Sequence, residues 1–149
     1  MFDPYIRPYI HYILNPIGKY LSKHHISANT LTILGFFSGL LAMFCISQQQ
    51  YSIALAWLIA NRLFDGLDGA VARQHPLHDF GGFLDIVCDF IIYAGIIFAF
   101  ALANPSHALA ASFLIFSFIG PITSFLAYAI LAAKQHKTTN RCGRKSFFN

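Results

Sequence analysis

The aspartates of this 149-residue chain are concentrated in one stretch, from Asn61 to Phe90. Asp65, Asp68, Asp85 and Asp89 all lie in or beside apolar sequence that is long enough to cross a bilayer. A charged side chain at the centre of a membrane helix costs on the order of 3 kcal/mol on insertion scales, and such residues therefore mark functional sites. The four aspartates predict a functional site inside the membrane.

The spacing of these aspartates predicts that their side chains converge. Asp65 and Asp68 share one helix face with Asn61, and Asp85 and Asp89 lie one turn apart on the following helix. Four carboxylates in a medium of low dielectric constant need protons or cations to neutralise them. All-oxygen ligands favour Mg²⁺, Mn²⁺ or Ca²⁺, and two such ions would balance four negative charges. A two-metal carboxylate site beside basic residues is suited to phosphate chemistry.

The elements that position this site are membrane helices. The chain is 56% hydrophobic and 11% charged, whereas a soluble domain carries about 25% charged residues. The composition therefore predicts an all-α polytopic membrane protein, a helical bundle with about four transmembrane helices in a single domain, 1–149. The predicted spans run from about Thr30 to Ser47, Ile53 to Arg73, Gly81 to Ala103 and Ala108 to Ala133, within a bundle over 29–134.

Two further segments flank the bundle. Residues 1–28 carry apolar residues at helical spacing together with lysines and histidines, which predicts an amphipathic interfacial helix. Packing of this helix on the protein itself is the alternative, and Asn15-Pro16 resembles a cap that begins a second helical piece. Residues 135–149 form a basic tail. Ser27 or Asn29 is expected to cap the first span.

The distribution of basic residues predicts the orientation. None lies in the connections 48–51 and 104–107, so the positive-inside rule places both outside and puts the N-terminus, the site and the C-terminus in the cytoplasm. No basic patch of the kind that binds nucleic acid is present. The three cysteines are scattered and form no C-x-x-C pair, so a disulfide framework or a zinc site is unsupported. For His75 and His78, a solvated loop is favoured over a metal site.

Two segments of the aspartate-rich stretch resemble a known family signature. Asp65-Gly-Leu-Asp-Gly-Ala-Val-Ala-Arg73 followed by Gly81-Gly-Phe-Leu-Asp-Ile-Val-Cys-Asp89 resembles the signature of the CDP-alcohol phosphotransferases, D-x2-D-G-x2-A-R-x8-G-x3-D-x3-D. All eight fixed residues are present, a coincidence on the order of 10⁻¹⁰ per start position at average composition. The loop between Arg73 and Gly81 is one residue shorter than in the family. Asn29-Thr-Leu-Thr32 also looks like the family's usual start of the first span.

The resemblance implies an activity and a role for each matching residue. Asp65, Asp68 and Asp85 would bind two divalent metal ions, Mg²⁺ or Mn²⁺, while Asp89 would be the general base and would also touch the second ion. Gly69 and Arg73 would hold the cytidine diphosphate group; these six residues are the predicted site. The implied reaction transfers a phosphatidyl group from CDP-diacylglycerol to an alcohol and releases CMP. The family also suggests a homodimer. The expected location is a bacterial inner membrane.

Other interpretations of the same residues remain open. The family usually has six spans and the sequence predicts four, so a truncated, inactive homologue that binds metal or lipid is one alternative. A transport protein that carries ions or protons on its carboxylates is another. The apolar outer halves, Ile53–Ala60 and Tyr93–Ala103, argue against a polar pathway. The acceptor is open among serine, inositol, inositol phosphate, glycerol 3-phosphate, ethanolamine, choline and phospholipids.

Overall fold

The computed structural model of the protein describes the backbone of residues 14–75 and 79–145 and the side chains of 14–75 and 80–131. All regular secondary structure in the described part is helical, as predicted, and this part contains no strand. We number its helices in chain order: α1 over 14–23, α2 Ala28–Ser47, α3 Tyr51–Ala72, α4 Asp79–Ala103 and α5 Ala108–Lys145, with a short 3-10 helix at Pro105–His107.

The predicted spans correspond to α2, α3, α4 and α5, and their bounds agree within two residues except at the end of α5. This helix continues to Lys145, so most of the predicted basic tail extends the last helix. Lysine, glutamine and arginine in this segment are good helix formers, and no proline interrupts them. Ser27 caps α2 as expected, because its side chain accepts a hydrogen bond from the Thr30 backbone N–H at 3.2 Å.

Three of these helices are long and apolar enough to cross a membrane: Ala28–Ser47, Phe80–Ala103 and Pro105–Leu131. The α3 helix has 22 residues and is about 33 Å long at 1.5 Å per residue, but its charged residues exclude it from that class. Two polar residues of α3 are buried inside the bundle, and large apolar residues of α3 are exposed on its outside. Asn61 and Asp68 are 4% and 5% exposed, whereas Ile53, Leu55 and Leu63 are at least half exposed. An apolar outer face over a polar inner one suits α3 to lie in lipid beside α2 and α4.

Small residues on α2 let the three site helices approach closely. The Gly35-x-x-x-Gly39 motif faces two helices, since a Cβ on Gly35 would lie 3.1 Å from Phe64 of α3 and one on Gly39 would contact Ile92 of α4. Away from the aspartates, at the far end of the bundle, Cys45, Ile46, Ala54 and Ala99 form a buried apolar cluster. There Gln49 also donates a hydrogen bond to the Ala103 carbonyl at 2.8 Å, which ties the two predicted outer connections together.

The described part of the N-terminal helix packs on the protein. A Cβ on Gly18 would lie 2.8 Å from the Cβ of Ala70, so α1 lies directly against α3. Ile17 and Tyr20 are nevertheless exposed, which leaves an apolar face for lipid. The predicted start of a helical piece at Asn15-Pro16 is wrong, because the helix already includes residue 14. The prediction for 1–13 lies outside the described residues.

Candidate active site

The short connection between α3 and α4 brings the last turns of one helix beside the first turns of the other, and the aspartates lie there. One carboxylate oxygen each from Asp65, Asp68 and Asp85 can be chosen so that all lie within 4.8 Å of one another. Asp68 is buried and the other two are half-buried. The structure therefore brings three of the four predicted metal ligands into one group, with Asp89 beside it.

The buried member of this group, Asp68, is held by a hydroxyl from a third helix. The Thr32 Oγ1 of α2 donates a hydrogen bond to the Asp68 Oδ2 at 2.6 Å, and Thr32 is itself 7% exposed. The same hydroxyl lies 3.1 Å from the Ala28 carbonyl, which is its alternative acceptor. Sequence reasoning missed this partner. The one sequence feature that could have identified Thr32 is its position in the segment that resembles the start of the family's first span.

The fourth aspartate, Asp89, is engaged by different partners. Arg62 Nη2 donates to the Asp89 Oδ1 at 3.0 Å, and the Tyr93 hydroxyl donates to the Asp89 Oδ2 at 3.3 Å. Arg62 Nη1 also donates to the Tyr93 oxygen at 2.8 Å and lies 3.6 Å from a carboxylate oxygen of Asp65. Neither Arg62 nor Tyr93 was assigned a role from the sequence, although Arg62 is a charged residue inside the predicted span from Ile53 to Arg73.

Asn61 connects this arginine to the first site helix. Its Nδ2 donates to the Gly35 carbonyl at 2.8 Å, and its Oδ1 accepts from the Arg62 Nε and Nη2 at 3.0 and 2.8 Å. The predicted placement of Asn61 on the same inner face as the aspartates is confirmed by its burial. A continuous set of hydrogen bonds thus runs from α2 through α3 to Asp89 of α4.

A cavity of about 690 Å³ opens beside the carboxylates. Its walls come from the end of α1, the start of α2, the end of α3 and the start of α4. They include the predicted residues Asp68, Gly69 and Asp85, together with Ser22, His25, Ile26, Ser27, Ala28, Asn29, Thr32, Ala72, His75, Phe80, Gly81 and Gly82. The walls contain both polar and apolar groups, so the cavity suits a ligand with both characters.

The two predicted nucleotide-binding residues lie differently with respect to this cavity. Gly69 forms part of the wall, where the absence of a side chain leaves space. Arg73 lies just past the end of α3 and is exposed, with its Nη1 3.4 Å from the position that a Cβ on Gly69 would take. The nearby His75 is a wall residue whose Nε2 lies 2.8 Å from the Ser22 Oγ. His78 lies outside the described residues.

The donor set fits a hard divalent cation. Among the described residues, the one group of three possible metal ligands consists of carboxylates alone, and the hydroxyl of Thr32 stands behind one of them. Mg²⁺ and Mn²⁺ prefer such oxygen ligands, and a softer ion would select thiolate or imidazole. A hydrogen bond from a second residue is also what usually orients a metal-binding carboxylate.

Comparison with known proteins gives the same assignment as the signature. Residues 25–147 match the CDP-alcohol phosphatidyltransferase family. The chain is 44% identical to the inner membrane protein YnjF of Escherichia coli K12 over 149 residues, which covers 99% of the chain and 72% of that protein. It is 41% identical to an archaetidylinositol phosphate synthase of Pyrococcus horikoshii over 100 residues, 66% of the chain and 53% of the relative.

An uncharacterized protein of Aquifex aeolicus is 33% identical over 85 residues, 56% of the chain and 43% of that protein. No solved structure matches the chain. The match at residues 25–147 includes the helices that carry all four aspartates, and these helices converge on three carboxylates beside an open cavity. The chain belongs to the CDP-alcohol phosphatidyltransferase family.

Proposed function

We propose that this protein transfers a phosphatidyl group from CDP-diacylglycerol to the hydroxyl of an alcohol and releases CMP. The acceptor oxygen forms a new bond to the β-phosphorus, the one that carries diacylglycerol, while the phosphoanhydride bond to CMP breaks. The acceptor proton passes to a base of the protein. The observation that carries the proposal is the group of three carboxylates within 4.8 Å, two of which, Asp68 and Asp85, line a cavity of about 690 Å³, in a chain of this family.

Asp65, Asp68 and Asp85 would hold the divalent ions, with Asp89 at the second one. When bound, two Mg²⁺ or Mn²⁺ ions would supply charge neutralisation for the diphosphate and stabilise the attacking and leaving oxygens. The protein's own contribution is to hold these carboxylates in place before the substrate arrives. Thr32 does so for Asp68 through a hydrogen bond of 2.6 Å.

Gly69 and Arg73 would bind the nucleotide end of the donor. Gly69 lets the diphosphate approach the α3 backbone because no side chain fills that part of the cavity. The guanidinium of Arg73 stays charged and can form two parallel bonds to a phosphate. Its exposed position at the end of α3 suits a ligand that enters from the mouth of the cavity.

Asp89 is the proposed general base, and one of its oxygens is better placed than the other. The contact of Oδ1 with Arg62 is charge-assisted and 3.0 Å long, whereas the contact of Oδ2 with Tyr93 is 3.3 Å long and weaker. A substrate hydroxyl would therefore displace the Tyr93 hydroxyl and bind to Oδ2. Such a base needs an approach within about 3 Å of the proton that it removes.

The proposed setting is a bacterial inner membrane, with the site end of the bundle in the cytoplasm. The relative from Escherichia coli is an inner membrane protein, and the basic residues flank the site end of the helices. The lipid donor would enter sideways from the inner leaflet, and a homodimer is the proposed assembly. The acceptor stays open among small alcohols.

Transport is disfavoured by the far end of the bundle. There the buried cluster of Cys45, Ile46, Ala54 and Ala99 is apolar, and a pathway for ions would need polar groups through to the other side. Binding of metal or lipid without turnover is the remaining alternative, and the assay below separates it from catalysis.

The test is CMP release from membranes that contain the protein, with CDP-diacylglycerol, Mg²⁺ or Mn²⁺ and a panel of alcohols. Inositol phosphate belongs in the panel because one relative is named for an inositol phosphate product. Asp89→Asn should abolish release, while Asp79→Asn, at an aspartate outside the signature, should keep it. Absence of release with every acceptor, from protein that still binds Mn²⁺, would favour binding without turnover.

A further inference from the structure

Arg62 is a charged residue that has no direct role in the proposed reaction. It is ten residues from the end of α3 at Ala72, and Asp89 is ten residues from the start of α4 at Asp79. At 1.5 Å per residue both lie about 15 Å from the connected helix ends, deeper than Asp68 and Asp85. An arginine at that depth costs on the order of 3 kcal/mol on insertion scales, and it lies outside the family signature.

Each nitrogen of the guanidinium donates a hydrogen bond, although the side chain is partly exposed. Nη2 bonds Asp89 at 3.0 Å and Asn61 at 2.8 Å, Nη1 bonds Tyr93 at 2.8 Å, and Nε bonds Asn61 at 3.0 Å. Asn61 is anchored in turn to the Gly35 carbonyl of α2. Arg62 therefore occupies the Asp89 side of the site as a cation built into the protein.

We infer that Arg62 makes the two metal positions unequal: the first ion binds at Asp65, Asp68 and Asp85, and the second binds at Asp89 only together with the diphosphate of the substrate. This inference rests on the proposed function. Four ionised carboxylates and one guanidinium carry a net charge of −3. One divalent ion lowers the magnitude of this charge from 3 to 1, whereas a second ion only reverses its sign to +1 and so removes no net charge from a medium that penalises it. The anionic diphosphate removes that excess.

The geometry gives the same order of binding. The group that converges within 4.8 Å excludes Asp89, whose two oxygens are already engaged by Arg62 and Tyr93. An ion at Asp89 must displace those contacts, whereas Asp85 accepts no hydrogen bond from any described residue. Arg62 is thus a positioning residue, which keeps Asp89 neutralised and oriented until the substrate arrives.

The experiment counts bound Mn²⁺ by electron paramagnetic resonance on the purified full chain in lipid nanodiscs, with and without CDP. The wild-type protein should bind one ion per chain without CDP and two with it. Arg62→Gln should bind two ions without CDP, with at least about tenfold tighter binding of the second, because a unit charge close to the ion is removed. Arg62→Lys keeps the charge and should bind one ion. Lys23→Gln removes an exposed charge that forms no ion pair with the four aspartates, and it should also bind one ion.

Two ions on the wild-type protein or on Arg62→Lys without CDP would overturn the inference, and so would an unchanged count in folded Arg62→Gln. Thermal unfolding monitors the fold of each variant. If Arg62→Gln does not fold, the numbers of Mn²⁺ ions bound by the wild-type protein and by Arg62→Lys, with and without CDP, still test the inference. Absence of any bound ion, even with CDP, would instead refute the metal site of the proposed function.

Discussion

Replacing Thr32 by valine removes one hydroxyl from the site at almost constant volume. That hydroxyl is the side-chain donor that the described structure provides to the buried Asp68, at 2.6 Å. A hydrogen bond to a charged group contributes about 1.5–3 kcal/mol, which corresponds to roughly a 10- to 150-fold change in an equilibrium constant. Loss of an outer hydrogen bond to a metal ligand typically weakens metal binding about 10- to 100-fold. Thr32→Val should therefore weaken Mn²⁺ binding by one to two orders of magnitude.

The assay compares the Mn²⁺ dissociation constant and the apparent melting temperature of three variants. Thr32→Ser keeps the hydroxyl and should stay within a few fold of the wild-type protein. Ser38→Ala is the matched control, because it removes a buried hydroxyl of the same helix that bonds the Leu34 carbonyl at 3.0 Å and no aspartate. It should leave the dissociation constant unchanged.

The result that would refute this reasoning is a lower melting temperature for Thr32→Val with an unchanged Mn²⁺ dissociation constant. Thr32 would then stabilise the contact between α2 and α3 without orienting the Asp68 carboxylate. Equal weakening in Ser38→Ala would also refute it, because the effect would then follow from any loss of a buried hydroxyl in α2.

The remaining predictions test the ion group, the cavity and the packing. Asp85→Asn, or chelation of divalent ions, should abolish CMP release, and the variant should bind Mn²⁺ at least about a hundredfold more weakly; normal turnover in either case would exclude the metal mechanism. Gly69→Leu should raise KM for CDP-diacylglycerol with little change in melting temperature, because the new side chain fills part of the cavity; an unchanged KM would place the nucleotide elsewhere. Gly39→Ala should destabilise the bundle by about 1–3 kcal/mol because its Cβ meets the buried Ile92, whereas Gly120→Ala, with no atom within 4 Å of its Cβ, should be neutral or stabilising; equal effects would contradict the packing.

The sequence was sufficient to predict the part of the site that lies on α3 and α4. Helical spacing fixes the faces of Asp65 and Asp85, and the short connection fixes the relative height of two antiparallel helices. Both facts can be read from residue numbers alone, and the structure confirms that three of the four carboxylates converge. The roles of Gly69 and Arg73 came from the resemblance and stay predictions.

The contribution of α2 could not be predicted in the same way. Thr32 lies near the beginning of α2, and the turn that joins α2 to α3 is at the opposite end, so small changes in helix crossing decide which residues meet. Arg62 was missed for a different reason. It lies about 60° around the helix from Asp65, on the side toward α4, and the length of its side chain decides its contacts.

The partners of the charged groups divide the site into two halves. On one side, Arg62 and Asp89 neutralise each other across α3 and α4, so this half needs no added ion to remain in the membrane. On the other side, Asp65, Asp68 and Asp85 gather three acidic groups against one neutral hydroxyl and a guanidinium no nearer than 3.6 Å. In a medium of low dielectric constant, protons or an added cation are needed to neutralise that second half, and we propose a cation. The charged residues that make α3 too polar to count as an apolar span thus include two of the three carboxylates, Asp65 and Asp68, at which we propose that the ions bind.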